Sequence, residues 1–123
     1  VVVVDDSADL RRVVKMCLLM EPGIQVIGEA GTGLEAIELV RQLQPDVVLL
    51  DLEMPEMDGL TALPHLRQCS PGSRIAVLSA FPDPFTLTDA LGQGADTYLD
   101  KATALAELPG HILALVSEGN QPA

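Results

Sequence analysis

Asp5, Asp6, Asp51, Ser79 and Lys101 each stand at the end of a short aliphatic run, in "VVVVDD", "DVVLLD", "RIAVLS" and "TYLDK". If those runs end on one rim, three carboxylates, a hydroxyl and an ammonium meet there. Acids so placed repel: at about 4 Å and an effective dielectric near 20, each pair costs roughly 4 kcal/mol. A cation must relieve this, or some of the acids must take up protons. A hard divalent ion with oxygen ligands suits such a site, and Mg2+ suits it best where phosphate is the substrate. Lys101 brings a second positive charge. A carboxylate held between a metal ion and an ammonium is stabilised as a nucleophile, and both cations suit a transferring phosphoryl group. The residue types therefore point to a phosphoryl acceptor, with Asp51 as the nucleophile.

Each residue taken alone has a plainer use. Asp5 or Asp6, next to Ser7, could cap a helix. A serine after a strand is ordinarily turn chemistry, and a lysine is ordinarily a solvated charge. Only their joint placement carries the argument, so the elements that position them decide it.

Those elements alternate. "VVVV" is an unbroken β-branched run, as a strand covered on both faces should be. Leu10, Val13, Val14, Cys17 and Leu18 then recur at helical spacing, and "EPG" (Glu21 to Gly23) stops that helix. "IQVIGEA" reads as a more polar edge strand that offers the rim only Glu29. Thr32 and Glu35 form a capping box before a helix with Ala36, Ile37, Val40 and Leu43 inward. "DVVLLD" is the next strand, followed by a helix from about Leu60 to Cys69 in which Pro64 predicts a displaced start or a kink. "RIAVLS", a short helix near Pro84 to Gln93, "TYLD" and a last helix with Leu108, Ile112, Leu115 and Val116 inward complete the chain. Pro109 is tolerable there only in a first turn, where its missing N–H has no partner to lose. Five strands alternating with five helices make an α/β fold with a parallel sheet and right-handed crossovers. All strand ends then share one edge, where such sheets build their sites.

Composition sets the outer limits. The 123 residues fit one domain, and 48% are hydrophobic with almost no aromatics, so the core must be aliphatic. A net charge of −11 argues against direct contact with nucleic acid. The apolar runs are too short to span a membrane, and the start does not read as a secretion signal. Cys17 and Cys69 lack metal-ligand spacing and read as reduced core thiols of a cytoplasmic protein. The chain begins "VVVV" without Met and ends "SEGNQPA", so both ends read as cut from something longer.

"VVVVDD", "VVLLDLEMPEMDG", "AVLSA" and "GADTYLDKA", in order and over essentially the whole chain, resemble the receiver domain of two-component response regulators. The resemblance implies a flavodoxin-like, doubly wound (βα)5 sheet of strand order 2-1-3-4-5. It implies that Asp51 takes a phosphoryl group from a phosphohistidine on a sensor histidine kinase, with no turnover of a separate substrate. Asp6 and Asp51 would bind Mg2+ directly, the Glu53 backbone carbonyl would be a third ligand, and Asp5 would act mainly through water. Ser79 and Lys101 would hold phosphoryl oxygens. Ser79 and Tyr98 would be the switch pair, reshaping the face of the fourth helix, fifth strand and fifth helix. A homodimer formed on phosphorylation is a further implied partner.

"IQVIGEAGTGLEAIELVRQLQPDVVLLDLEMPEMDGL" and "GADTYLDK" resemble the NarL/FixJ (LuxR-type) branch, whose receivers usually precede a helix-turn-helix domain. On that resemblance residues 1–117 are the receiver and 118–123 begin a linker to an output domain, through which alone DNA would be reached. Glu53 places an acid two residues past the acceptor, at a position that varies in the family and lies near the phosphoryl group. Its carboxylate is expected to repel attacking water or the incoming donor and so to alter phosphorylation lifetime. Pro109 with Gly110 is expected to weaken the start of the last helix. The kinase is expected beside the first helix over Arg11, Arg12 and Lys15, unless these are simply a solvated basic face.

Three rivals remain to be weighed. A pseudo-receiver would bind proteins without phosphorylation, yet acceptor, acid pair and lysine are all present. A haloacid-dehalogenase-type phosphohydrolase wants Asp, not Glu53, two residues past a nucleophile on the first strand. A flavodoxin-like nucleotide binder needs a glycine-rich phosphate loop where "DDSADL" stands.

Overall fold

The computed structural model describes residues 1–54, 59–80 and 83–119. Its centre is a five-stranded parallel sheet of order β2-β1-β3-β4-β5. The strands are β1 (Val2–Val4), β2 (Gly28–Ala30), β3 (Val47–Asp51), β4 (Arg74–Ser79) and β5 (Thr97–Asp100). The helices are α1 (Ala8–Leu19), α2 (Gly33–Leu43), α3 (Gly59–Cys69), α4 (Pro84–Gly92), α5 (Lys101–Ala104) and α6 (Leu108–Gly119).

Successive strand residues point to opposite faces, so the sheet is covered on both. Val2, Val4, Val48, Leu50, Ile75 and Val77 pack against α2 and α3 through Ala36, Val40, Leu63 and Leu66. Val3, Val47, Leu49, Ala76 and Leu78 pack against α1 and α6 through Val14, Leu18, Leu108, Ile112 and Leu115. The core is aliphatic because the sequence offers little else.

Helix starts follow their caps. Ser7 caps α1 by accepting from the Leu10 N–H at 3.2 Å, which leaves Asp5 and Asp6 free for other work. Thr32 accepts from the Glu35 N–H at 3.1 Å, while Glu35 reaches back to the Gly31 N–H at 3.0 Å. Asp83 caps α4 with Pro84 at its first position.

Three expectations need correction. The edge strand begins at Gly28 rather than Ile24, because a strand with one neighbour keeps only the residues that pair with Val2 to Val4. On α1 only Val14 and Leu18 are fully buried; Val13 is exposed, and Leu10 and Cys17 are half-covered. On α2 Leu43 likewise turns outward. The last helix is α6 as expected, with Leu108, Ile112 and Leu115 buried and Val116 packed against them. A 3-10 turn (Leu105–Glu107) separates α5 from α6, and Pro109 falls in the first turn of α6, where its missing N–H is harmless. Pro64 lies inside α3 on its exposed side. The helix α6 runs through 119, two residues into the segment expected as linker, and 120–123 lie outside the described residues.

Candidate functional site

The parallel register delivers the expected side chains to one edge. Asp51 pairs with Leu78 across β3 and β4, and Ser79 pairs with Asp100 across β4 and β5, so Lys101 follows one residue beyond. Asp5 follows β1 directly, held by its N–H on the Ala30 carbonyl at 3.0 Å.

Asp51 is the centre. It is 1% exposed at the tip of a strand. Its Oδ1 accepts from the Lys101 ammonium at 2.9 Å and from the Glu53 backbone N–H at 3.0 Å. Its Oδ2 is enclosed and has no hydrogen-bond partner among the described residues. Lys101 Nζ also reaches Asp5 Oδ2 at 3.2 Å, and Asp5 Oδ1 accepts from the Ser7 N–H at 2.9 Å. One lysine thus bridges two buried carboxylates.

The charges respond to this crowding. Burial pushes the Asp51 carboxyl up to about 7; Lys101 pulls against it, and Glu53 and Asp5 add to it. Burial alone would lower the Lys101 ammonium, but Asp51 and Asp5 more than offset it and hold it above its ordinary value. Burial likewise works against the Glu53 carboxylate, yet hydrogen bonds from Ser79 and other neighbours hold it below the ordinary range.

Asp5, Asp6 and Asp51 each offer a carboxylate oxygen within 4.8 Å of the others. Asp6 is solvent-exposed, so the group opens outward. An enclosed, unpartnered carboxylate oxygen beside two further acids is the donor chemistry of a hard cation. The residues present fit a divalent metal ion.

The neighbouring backbone is crowded. A Cβ on Gly59 would lie 2.3 Å from the Asp51 carbonyl oxygen and 2.8 Å from Leu52 Cα, so only glycine lets α3 start this close to Asp51. Residues 55–58 of the loop between them, and 81–82 of the loop after β4, lie outside the described residues.

All five residues singled out by chemistry, Asp5, Asp6, Asp51, Ser79 and Lys101, are brought to this rim. Tyr98 lies next to the site on β5 and packs toward the core, with its hydroxyl enclosed and unpartnered among the described residues. Glu29 stays outside, as expected, but it is not idle. It pairs with Arg11 at 2.9 Å and with Lys15, so two of the three residues of the expected basic docking face are already engaged. The contact that sequence reasoning missed is Ser79 Oγ donating to Glu53 Oε1 at 2.6 Å. Proximity of Glu53 to the acceptor was readable; its hold on the hydroxyl depends on side-chain placement between two strands.

Comparison with known proteins agrees with this geometry. The response regulator receiver domain family matches residues 1–113. The nitrate/nitrite response regulator protein NarL of Escherichia coli (strain K12) is 45% identical over 101 residues, 82% of this chain and 47% of that protein. A protein-glutamate methylesterase/protein-glutamine glutaminase of Alkalilimnicola ehrlichii is 43% identical over 103 residues, 83% of this chain and 26% of that protein. The solved signal receiver domain of NarL from Mycobacterium tuberculosis superposes with a TM-score of 0.88 at 34% identity, over 94% of each chain. The chain therefore spans about half the length of the nitrate/nitrite response regulator it matches and about a quarter of the methylesterase.

Proposed function

The chain belongs to the response regulator receiver domains, and from that membership we propose that Mg2+-dependent phosphorylation of Asp51 by a sensor histidine kinase switches it. One observation carries the reading: a carboxylate 1% exposed at a strand tip, tied to Lys101, with its second oxygen enclosed and unpartnered. A buried acid so arranged is a poor structural element and a well-stabilised nucleophile.

In the transfer, an Asp51 oxygen bonds to phosphorus as the phosphorus–nitrogen bond of the donor phosphohistidine breaks. The imidazole nitrogen leaves with the electron pair. Lys101, already on Asp51, turns to a phosphoryl oxygen, and the Ser79 hydroxyl takes another. Asp6 and Asp51 would hold Mg2+ directly with the Glu53 carbonyl, and Asp5, occupied by Lys101, would contribute through water. The bound ion supplies positive charge to the acids and to the transferring group. Nothing separate is turned over.

Ser79 and Tyr98 form the switch. The enclosed, unpartnered Tyr98 hydroxyl supports this, because a polar atom so placed costs about 1–3 kcal/mol and keeps an alternative position accessible. The face that changes is α4, β5 and α6, where Phe85 and Leu91 of α4 stand exposed. Homodimerisation on phosphorylation and transcription control through a helix-turn-helix domain beyond residues 118–123 complete the proposal, with NarL as the supporting relative. The location is cytoplasmic; no described helix is long and apolar enough to cross a membrane.

The test is intact-protein mass after incubation with a small acyl phosphate, with and without Mg2+, beside Asp51→Asn. One added phosphoryl group that requires both Mg2+ and Asp51 is expected. Absence of an adduct, together with absence of beryllofluoride binding, would transfer the reading to a phosphorylation-independent interaction module. Decay of the phosphorylated form should also differ between wild type and Glu53→Gln, since an acid beside the phosphoryl group repels attacking water; equal lifetimes remove that role.

A further inference from the structure

We propose that Glu53 is a tethered competitor for the phosphoryl-oxygen position, its carboxylate holding the donors that a phosphoryl group on Asp51 needs. The inference rests on the phosphoacceptor reading above and adds a resting-state occupant to it. Ser79 Oγ donates to Glu53 Oε1 at 2.6 Å, and the Ala80 N–H lies 3.4 Å from Oε2. Both donors come from the end of β4. On the other side, the Glu53 backbone N–H is fixed to Asp51 Oδ1 at 3.0 Å. Residue 53 is therefore anchored at the acceptor by its backbone while its side chain bridges to the neighbouring strand tip.

Two consequences follow from the chemistry of that bridge. A serine hydroxyl has one proton to donate, and a carboxylate takes it in a charge-assisted bond stronger than a neutral one. A phosphoryl oxygen can gain Ser79 only when Glu53 releases it, so the two anions compete for one donor. Glu53 is exposed enough to swing into solvent, which makes the exchange feasible without unfolding the loop. The same bond also commits the Ser79 hydroxyl to Glu53 before any phosphorylation.

The experiment titrates beryllofluoride, with Mg2+ present, into wild type, Glu53→Gln, Glu53→Ala, Ser79→Ala and the Glu53→Ala/Ser79→Ala double variant. Backbone amide resonances report binding, and thermal unfolding confirms that each variant is folded. Glu53→Ala and Glu53→Gln should bind on the order of tenfold more tightly than wild type, the net worth of one charge-assisted bond. In the Ser79→Ala background the Glu53→Ala gain should disappear, because the contested donor is gone. Equal affinity of wild type and both Glu53 variants overturns the inference while leaving the phosphoacceptor reading intact. A gain that persists without Ser79 also overturns it, since Glu53 would then act through charge alone. Binding by none of the five proteins overturns the phosphoacceptor reading and this inference with it.

Discussion

At Asp51 the needs of function oppose those of stability. Function requires an acid that is enclosed and ionised; the folded chain encloses it beside Asp5 and Glu53, and burial raises its carboxyl to about 7. A group raised in the folded state contributes stability below its unfolded value and loses it as pH rises toward the folded value. With divalent ions chelated, wild type should therefore become less stable between about pH 4 and pH 7. Asp51→Asn removes this dependence. Its unfolding midpoint should exceed that of wild type at pH 8, since the raised value already includes the pull of Lys101, and the gap should close toward pH 4. A lower midpoint for Asp51→Asn at pH 8 would mean that Lys101 already compensates the buried charge in full.

Between elements, Arg67 of α3 joins parts far apart in the chain. Its guanidinium donates to the Gly94 carbonyl from Nε at 3.1 Å and Nη2 at 2.6 Å, to Asp96 at 2.8 Å and to the Ser73 carbonyl at 2.6 Å. Those contacts fix the turns that launch β4 and β5, and hence the register that brings Ser79 and Lys101 to the rim. Gly94 has φ of 117°, and a Cβ there would meet the Arg67 stem at 3.1 Å. Arg67→Lys keeps the charge and loses the fork, so urea unfolding should show a loss of about 2–3 kcal/mol; a loss below about 0.5 kcal/mol would show the fork to be dispensable. None of this was legible beforehand, because carbonyl partners leave no signature in sequence. By contrast β1, β3 and β4 were legible as aliphatic runs and β5 as the short stretch "TYLD", and with them the positions of Asp51, Ser79 and Lys101. The edge strand and α1 were less so: apolar spacing does not reveal how wide a stripe the neighbours cover, and Val13, Met16 and Leu19 face outward. What does tie α1 to that edge is Glu29, whose carboxyl Lys15 and Arg11 hold below its ordinary value. A depressed acid stabilises above its unfolded value and loses that contribution as pH falls through the folded one. Glu29→Gln should cost about 0.5 kcal/mol at pH 7 and converge with wild type in acid. A constant difference at all pH values would assign the effect to packing instead.

For the molecule as a whole, a net charge of −11 surrounds a rim that gathers three acids. Receivers like this one occur in a nitrate/nitrite response regulator and in a protein-glutamate methylesterase, so the output chemistry is not set by this domain. On the proposed function, the domain has to bind a cation specifically against a background of many exposed carboxylates. The two kinds of binding separate by saturation. Ions attracted to the general negative field stabilise without a plateau and are displaced by moderate salt. An ion held by Asp51 and its neighbours stabilises as RT ln(1 + [L]/Kd), about 1.4 kcal/mol at ten times Kd, or roughly 5 °C in a domain of this size. Thermal unfolding of wild type in 0.15 M salt should therefore show a saturable rise with Mg2+, and Asp51→Asn should lose most of it. An equal rise in both would place the ion outside the acceptor, and the three carboxylates would then have to be relieved by Lys101 and protons alone.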